Sequence, residues 1–178
     1  MPEHELGNVP DVINVKSAFH NIRGGVVDDF FSPKRLKRFT PAVLKKMKKS
    51  LSENGLSFWS VLYAHELQVI GEYVDCFDGI TFWLWKSEEI ADMDEKLDTL
   101  FSIVGDKPVM LGIYLWDYAS SKAMDPQLFT MQINRYLELL RQKRIEGIVF
   151  CSGAIGDADL ETNKILKNIV REYGDEEI

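Results

Sequence analysis

Gly24-Gly25-Val26-Val27-Asp28-Asp29-Phe30-Phe31 (GGVVDDFF) reads as a short buried strand that ends in two adjacent carboxylates. Its opening, Ile22-Arg23-Gly24-Gly25-Val26-Val27, recurs in form downstream. Phe77-Asp78-Gly79-Ile80-Thr81-Phe82 and Ile145-Glu146-Gly147-Ile148-Val149-Phe150 likewise run apolar, charged, glycine, strand. A glycine at that place suits a tight turn from helix into strand. Three copies at three strand entries predict repeated βα units.

The segments between the copies fit that reading. After a first strand at 24–28, Thr40-Pro41 supplies an N-cap and a first helical residue. Val43, Leu44, Met47 and Leu51 then share one helix face, and Asn54-Gly55 closes it. A second strand is expected at 56–64 and a short helix at 68–74. The third strand is expected at 79–85. Ser87 follows as the cap of a helix with Ile90, Met93, Leu97, Leu100, Phe101 and Val104 on one side, stopped by Gly105. The fourth strand is expected at 109–115, Asp125-Pro126 opens another helix, and the fifth strand is at 147–150. Asp159 is expected to cap a last helix carrying Leu166, Ile169, Val170 and Tyr173, ended by Gly174.

Apolar strands that alternate with amphipathic helices imply a parallel sheet covered by helices. Two architectures remain open on this pattern: βα units of TIM-barrel type, or an open doubly wound parallel sheet. The 178 residues fit a single α/β domain, with a lead-in at 1–23, five βα units at 24–174 and an acidic tail at 175–178. Apolar residues at 46% and charged ones at 28% are ordinary for a globular chain. A net charge of −7 argues against nucleic acid and anionic membrane as general partners. Cys76 and Cys151 lack CxxC spacing and read as free thiols in a reducing compartment, so the expected localisation is cytoplasmic. No apolar run reaches the roughly 18 residues of a membrane span.

In both architectures ligands meet the carboxyl ends of the strands. Those ends are Asp28-Asp29-Phe30-Phe31, Tyr63-Ala64-His65-Glu66, Trp83-Leu84-Trp85-Lys86, Tyr114-Leu115-Trp116-Asp117-Tyr118 and Cys151-Ser152-Gly153. Carboxylates and large aromatics gather there, a combination that suits a sugar: rings stack on apolar faces, carboxylates bond hydroxyls, and two acids can cleave a glycosidic bond. The expected catalytic carboxyls are Asp29, Glu66 and Asp117. The expected substrate contacts are Asp28, Tyr63, His65, Trp83, Trp85, Lys86, Tyr114, Trp116 and Tyr118. A strand period of 2 would send Asp28 and Asp29 to opposite sides, one to the pocket and one to the loop. One carboxyl must hold a proton near neutral pH, and burial beside Trp83, Trp85 and Trp116 would raise its pKa.

The stretches GGVVDDFF, SVLYAHEL, DGITFWLWKSEEI, KPVMLGIYLWDY, MDPQLFTMQINRYLELLR and IEGIVF resemble a bacterial group of mostly uncharacterised, glycoside-hydrolase-like TIM-barrel proteins. The resemblance covers about 14–174 and implies a barrel with its pocket at the strand carboxyl ends. A full barrel has eight strands in about 250 residues, whereas five are read here. The lead-in, with Val12, Val15 and Phe19 at helical spacing, has no strand before it. The pattern is that of a barrel short of its first three strands, either part of a longer chain or a reduced barrel. Its edge strands at 24–28 and 147–150 would expose unpaired backbone, which predicts either a homodimer through the sheet edges or poor solubility.

Other chemistries fit less well. Adjacent acids after a first strand also occur in the receiver domains of two-component signalling, but those need Asp after the third strand and Lys after the fifth, where this chain has Trp-Leu-Trp-Lys and Cys-Ser-Gly. His65-Glu66 begins like HExxH, but Val69 stands where the second histidine belongs. His65, Glu66 and Asp29 are of the types that an oxygen-loving metal takes, but their pattern is no metal signature, and no metal and no cofactor are expected. Gly24-Gly25 precedes a strand and is misplaced for a phosphate loop; Gly153-Ala154-Ile155-Gly156, before a helix, is better placed for one. Cys151 and Ser152 lack a GxSxG elbow. The basic run Lys34, Arg35, Lys37, Arg38, Lys45, Lys46, Lys48 and Lys49 reads in its second half as the solvated face of a helix. The expected partner is a carbohydrate or another polar small molecule. The expected function is hydrolysis of glycosidic bonds, with a non-catalytic carbohydrate-binding or degenerate barrel as the alternative.

Overall fold

The computed structural model describes residues 7–153 and 158–174. Strands β1 (Gly24–Val27), β2 (Ser57–Tyr63), β3 (Gly79–Trp83), β4 (Val109–Tyr114) and β7 (Gly147–Cys151) form one parallel sheet in the order β1-β2-β3-β4-β7. Strand neighbours therefore follow the chain. A doubly wound sheet would place its first strand centrally, but β1 lies at an edge. With five strands where a closed barrel has eight, this is an incomplete α/β barrel-type fold. Register is set by pairs such as Gly24↔Ser57 on one side and Tyr114↔Cys151 on the other. Exposure reports position: β2 alternates half-buried and buried, and β3 is buried at every residue.

The chain divides into two compact units, Met1–Thr81 with Thr99–Pro108, and Phe82–Asp98 with Val109–Ile178. The first holds helices α1 (Val9–Ala18), α2 (Pro33–Arg38) and α3 (Pro41–Ser52). Helix α3 forms as its sequence predicts. Thr40 Oγ1 accepts the Val43 N–H at 3.5 Å, and Leu44, Met47 and Leu51 are buried. Helix α1 differs: of its expected apolar stripe, Val15 and Phe19 are exposed, and Val9 is its buried residue. The segment expected as a helix at 68–74 is a 3₁₀ turn, Ile70–Cys76. Phe30 and Phe31 are core, packed edge-on to each other and to Tyr73. The phenylalanines of GGVVDDFF thus bury the loop behind the two carboxylates.

The second unit includes β5 (Trp116–Asp117) and β6 (Lys122–Ala123), an antiparallel two-residue hairpin that the pattern did not suggest. The sequence predicts Ser87 as the cap of a long helix. Instead a 3₁₀ turn, Ser87–Ile90, precedes α4 (Met93–Val104), and the Ser87 hydroxyl is spent on Asp117. Helix α5 (Pro126–Arg141) starts on the expected Asp125, whose Oδ1 accepts the N–H groups of Gln127 and Leu128 at 2.7 and 3.2 Å. Its buried face includes Phe129, Ile133, Tyr136 and Leu137. Helix α6 (Glu161–Tyr173) has Leu160 at its cap position; Asp159 pairs with the Lys164 ammonium at 3.1 Å instead. Residues 1–6 of the lead-in, the acidic tail and most of the Gly153–Gly156 phosphate expectation lie outside the described residues.

Two of the strand-entry glycines, Gly24 and Gly79, serve a different purpose from the one their spacing suggests. Gly24, Gly79 and Gly147 are not among the glycines with positive φ, so none makes a left-handed turn. At Gly79 a Cβ would collide with the Trp59 ring, and at Gly24 with Ser57. Gly112, within β4, is covered in the same way by the Trp83 ring. Gly112→Ala should therefore cost about 1–3 kcal/mol by overpacking. Gly71→Ala, which meets nothing within 4 Å, should stay within about 0.5 kcal/mol of the parent. Urea unfolding of both variants checks this; equal midpoints would refute the seat.

Candidate functional site

In the first unit the ends of β1 and β2 bring carboxyls together. Asp29 has φ +50°, in the left-handed region, so the strand is over before the second acid. The period-2 argument that separates Asp28 from Asp29 therefore does not apply. Asp28 Oδ1 accepts the Asp29 N–H at 2.7 Å and the Tyr63 hydroxyl at 3.3 Å, while the Arg35 guanidinium donates to the Asp28 carbonyl. The Tyr63 N–H in turn donates to Glu66 Oε2 at 3.0 Å. Tyr63 also stacks on His65, ring centroids 5.6 Å apart and planes 8° from parallel.

These neighbours set the proton affinity of Glu66, which is half-buried while Asp28, Asp29 and His65 are exposed. Burial penalises its carboxylate and raises its pKa above 4.5. The Tyr63 N–H bond and the His65 charge oppose that rise, and the negative charges of Asp29 and Asp28 add to it.

The second unit holds the other strand-end aromatics. Trp83 and Tyr114 are buried, their ring centroids 4.9 Å apart. Trp85 and Tyr118 are half-buried and stacked at 6.3 Å with 17° between planes, and Tyr114 meets both edge-on. Trp116 is half-buried and Lys86 exposed. Asp117 is 1% exposed. Its Oδ2 accepts the Ser87 hydroxyl at 2.7 Å and its Oδ1 the Ser120 N–H at 2.9 Å. Burial pushes the Asp117 pKa up, but the bonds from Ser87 and Ser120 and the charge of Lys122 outweigh it, so the carboxyl lies below its ordinary 3.8. The rise expected for a carboxyl near the tryptophans is thus not what Asp117 shows.

Two neighbours escaped sequence reading, Arg35 beside Asp28 and Ser87 beside Asp117. The third, Ser120, carried a local signal: Asp117-Tyr118-Ala119-Ser120 is the spacing at which an aspartate captures a backbone N–H ahead of it. Among the described residues no three His, Cys, Asp or Glu side chains are grouped to hold a metal ion, and no helix is long and apolar enough to cross a membrane. Cys76 is buried and Cys151 half-buried, both as free thiols.

The sequence matches no family model and no curated protein. Among solved structures it is similar to the PgaB (BpsB) glycoside hydrolase domain from Bordetella bronchiseptica, with a TM-score of 0.43 and 11% identity over 78% of this chain. The match spans 45% of that domain, less than half its length.

The opposite shifts of Glu66 and Asp117 give opposite pH dependences. A folded pKa above 4.5 means that the folded chain holds the Glu66 proton more tightly. That stabilisation is complete below about pH 4.5 and is lost as pH rises through the folded pKa. Glu66→Gln, which cannot ionise, should therefore gain stability relative to the parent as pH rises, read as thermal midpoints from about pH 4 to 8. A difference that does not change with pH would refute it. For Asp117 the stabilisation is present above 3.8 and is lost as pH falls through the lower folded value. Asp117→Asn keeps one acceptor for two donors and should cost about 1–3 kcal/mol at neutral pH; urea titration measures it.

Proposed function

We propose that this chain is a glycoside-hydrolase-like protein that cleaves glycosidic bonds at the carboxyl ends of β1 and β2. The observation that carries the reading is the bridge through Tyr63, whose hydroxyl donates to Asp28 and whose N–H donates to Glu66. It ties carboxyls from two neighbouring strand ends into one cluster. Within that cluster burial, with the charges of Asp29 and Asp28 added to it, raises the Glu66 pKa above its ordinary 4.5 against the pull of the Tyr63 N–H and the His65 charge. A carboxyl whose pKa is raised is what a glycosidase needs in its general acid.

Glu66 is the general acid in this scheme. It gives its proton to the glycosidic oxygen as the bond to the anomeric carbon breaks. Asp29 is the second carboxylate, which meets the positive charge that develops at that carbon or takes a proton from the incoming water. Asp28 holds the loop through the Asp29 N–H and does not react. Asp117, buried and bonded to two donors, serves as an anchor for the segment around it. A second reading, a carbohydrate-binding protein without catalysis, is favoured by the stacked pair Trp85 and Tyr118, whose half-exposed rings are of the kind that packs against sugar faces.

The test is to assay Asp29→Asn, Glu66→Gln and Asp117→Asn on a panel of aryl glycosides. Each of the first two should lose on the order of 10²-fold or more in kcat/KM, while Asp117→Asn should lose far less per folded molecule. Activity in the parent that neither Asp29→Asn nor Glu66→Gln lowers would overturn the assignment. A parent inactive across the panel that still binds oligosaccharide selects the second reading.

A further inference from the structure

Helix α2 is hard to explain by packing. It has six residues, Pro33-Lys34-Arg35-Leu36-Lys37-Arg38, and buries none of them. Four are cations, and no acid lies in its first turn to offset them. Lys34 sits three and four residues from Lys37 and Arg38, the spacings at which like charges on a helix repel. Arg38 lies over the Phe39 ring and Arg35 is bonded to the Asp28 carbonyl. Lys34 and Lys37 are exposed and form no ion pair among the described residues. The segment thus concentrates positive charge on a chain whose net charge is −7.

Its position gives that charge a use. The Arg35 bond ties α2 to the end of β1, beside Asp28 and Asp29 and in the same unit as Glu66. A neutral sugar would gain little from such a helix. A sugar that carries a carboxylate would gain charge-assisted hydrogen bonds from it, while its hydroxyls remain available to the aspartates.

Resting on the carbohydrate reading above, we propose that the ligand is an anionic oligosaccharide, a chain of uronic-acid type, whose carboxylates lie against Lys34, Arg35 and Lys37. Nucleic acid fits the same helix less well. The exposed residues of α2 include no aromatic ring on which a base could stack. A uronic-acid chain also carries one charge per residue, and it offers hydroxyls to the two exposed carboxylates beside the helix.

The experiment measures binding of a galacturonic-acid oligomer, a neutral oligomer of equal length and a single-stranded oligonucleotide of equal charge to the intact chain, at low and raised salt. The acidic oligomer should bind at least about 10-fold tighter than the neutral one, with the advantage shrinking as salt screens the exposed lysines. In the Lys34→Glu/Lys37→Glu double variant, checked for an unchanged far-UV spectrum and unfolding midpoint, that preference should fall to about unity. Both substitutions are at exposed sites, where folding is seldom affected. Equal binding of acidic and neutral oligomers overturns the inference and leaves the carbohydrate reading standing. Tighter binding of the oligonucleotide overturns it in favour of a nucleic-acid surface. Binding of no oligosaccharide at all overturns the carbohydrate reading and this inference together.

Discussion

A tryptophan ring lying on a glycine is the contact on which the middle of this sheet depends. It occurs twice, once in each unit: Trp59 of β2 covers Gly79 of β3, and Trp83 of β3 covers Gly112 of β4. A strand buried on both faces must fill both with side chains, and an indole is too large to share that space with a neighbouring Cβ. Glycine in the adjacent strand provides the room. The consequence reaches the ligand question. Trp83, committed to its seat, is 8% exposed, whereas Trp85, Trp116 and Tyr118 are half-buried. Packing therefore sorts the strand-end aromatics into those that fill the sheet and those with surface left for a ligand.

The carboxyls are sorted by a different constraint, the supply of hydrogen-bond donors. Glu66 and Asp117 both lose water, and desolvation pushes both toward the protonated form. Asp117 meets two strong donors, Ser87 and Ser120, and a lysine charge, and stays ionised as a structural anchor. Glu66 meets one backbone N–H and stands in the field of two aspartates, so its rise persists. The same carboxyl group, placed in two environments, has its pKa raised at one site and lowered at the other.

The alternation of strand and helix was legible in the sequence because its causes are local. Period-3.6 apolar faces, Thr40-Pro41 and Asp125-Pro126 at helix starts, and charged-Gly-apolar strand entries each act within a few residues. They specify βα units wherever the units later pack. The placement of carboxyls and aromatics after the strands was legible for the same reason, since strand ends follow from the same local pattern. Contacts distant in sequence were not legible. Ser87 has the composition of a helix cap, and its hydroxyl is taken by Asp117, 30 residues away. Gly79 has the spacing of a turn glycine, yet its reason is Trp59. GGVVDDFF reads as one strand with an acidic end; in the fold the left-handed backbone at Asp29 ends the strand, Tyr63 and Arg35 hold Asp28, and Phe30 and Phe31 bury the loop. Short-range periodicity determined which elements exist. Tertiary structure alone decided which side chains are buried in packing and which stay at the surface, because that depends on partners brought together only when the strands pair.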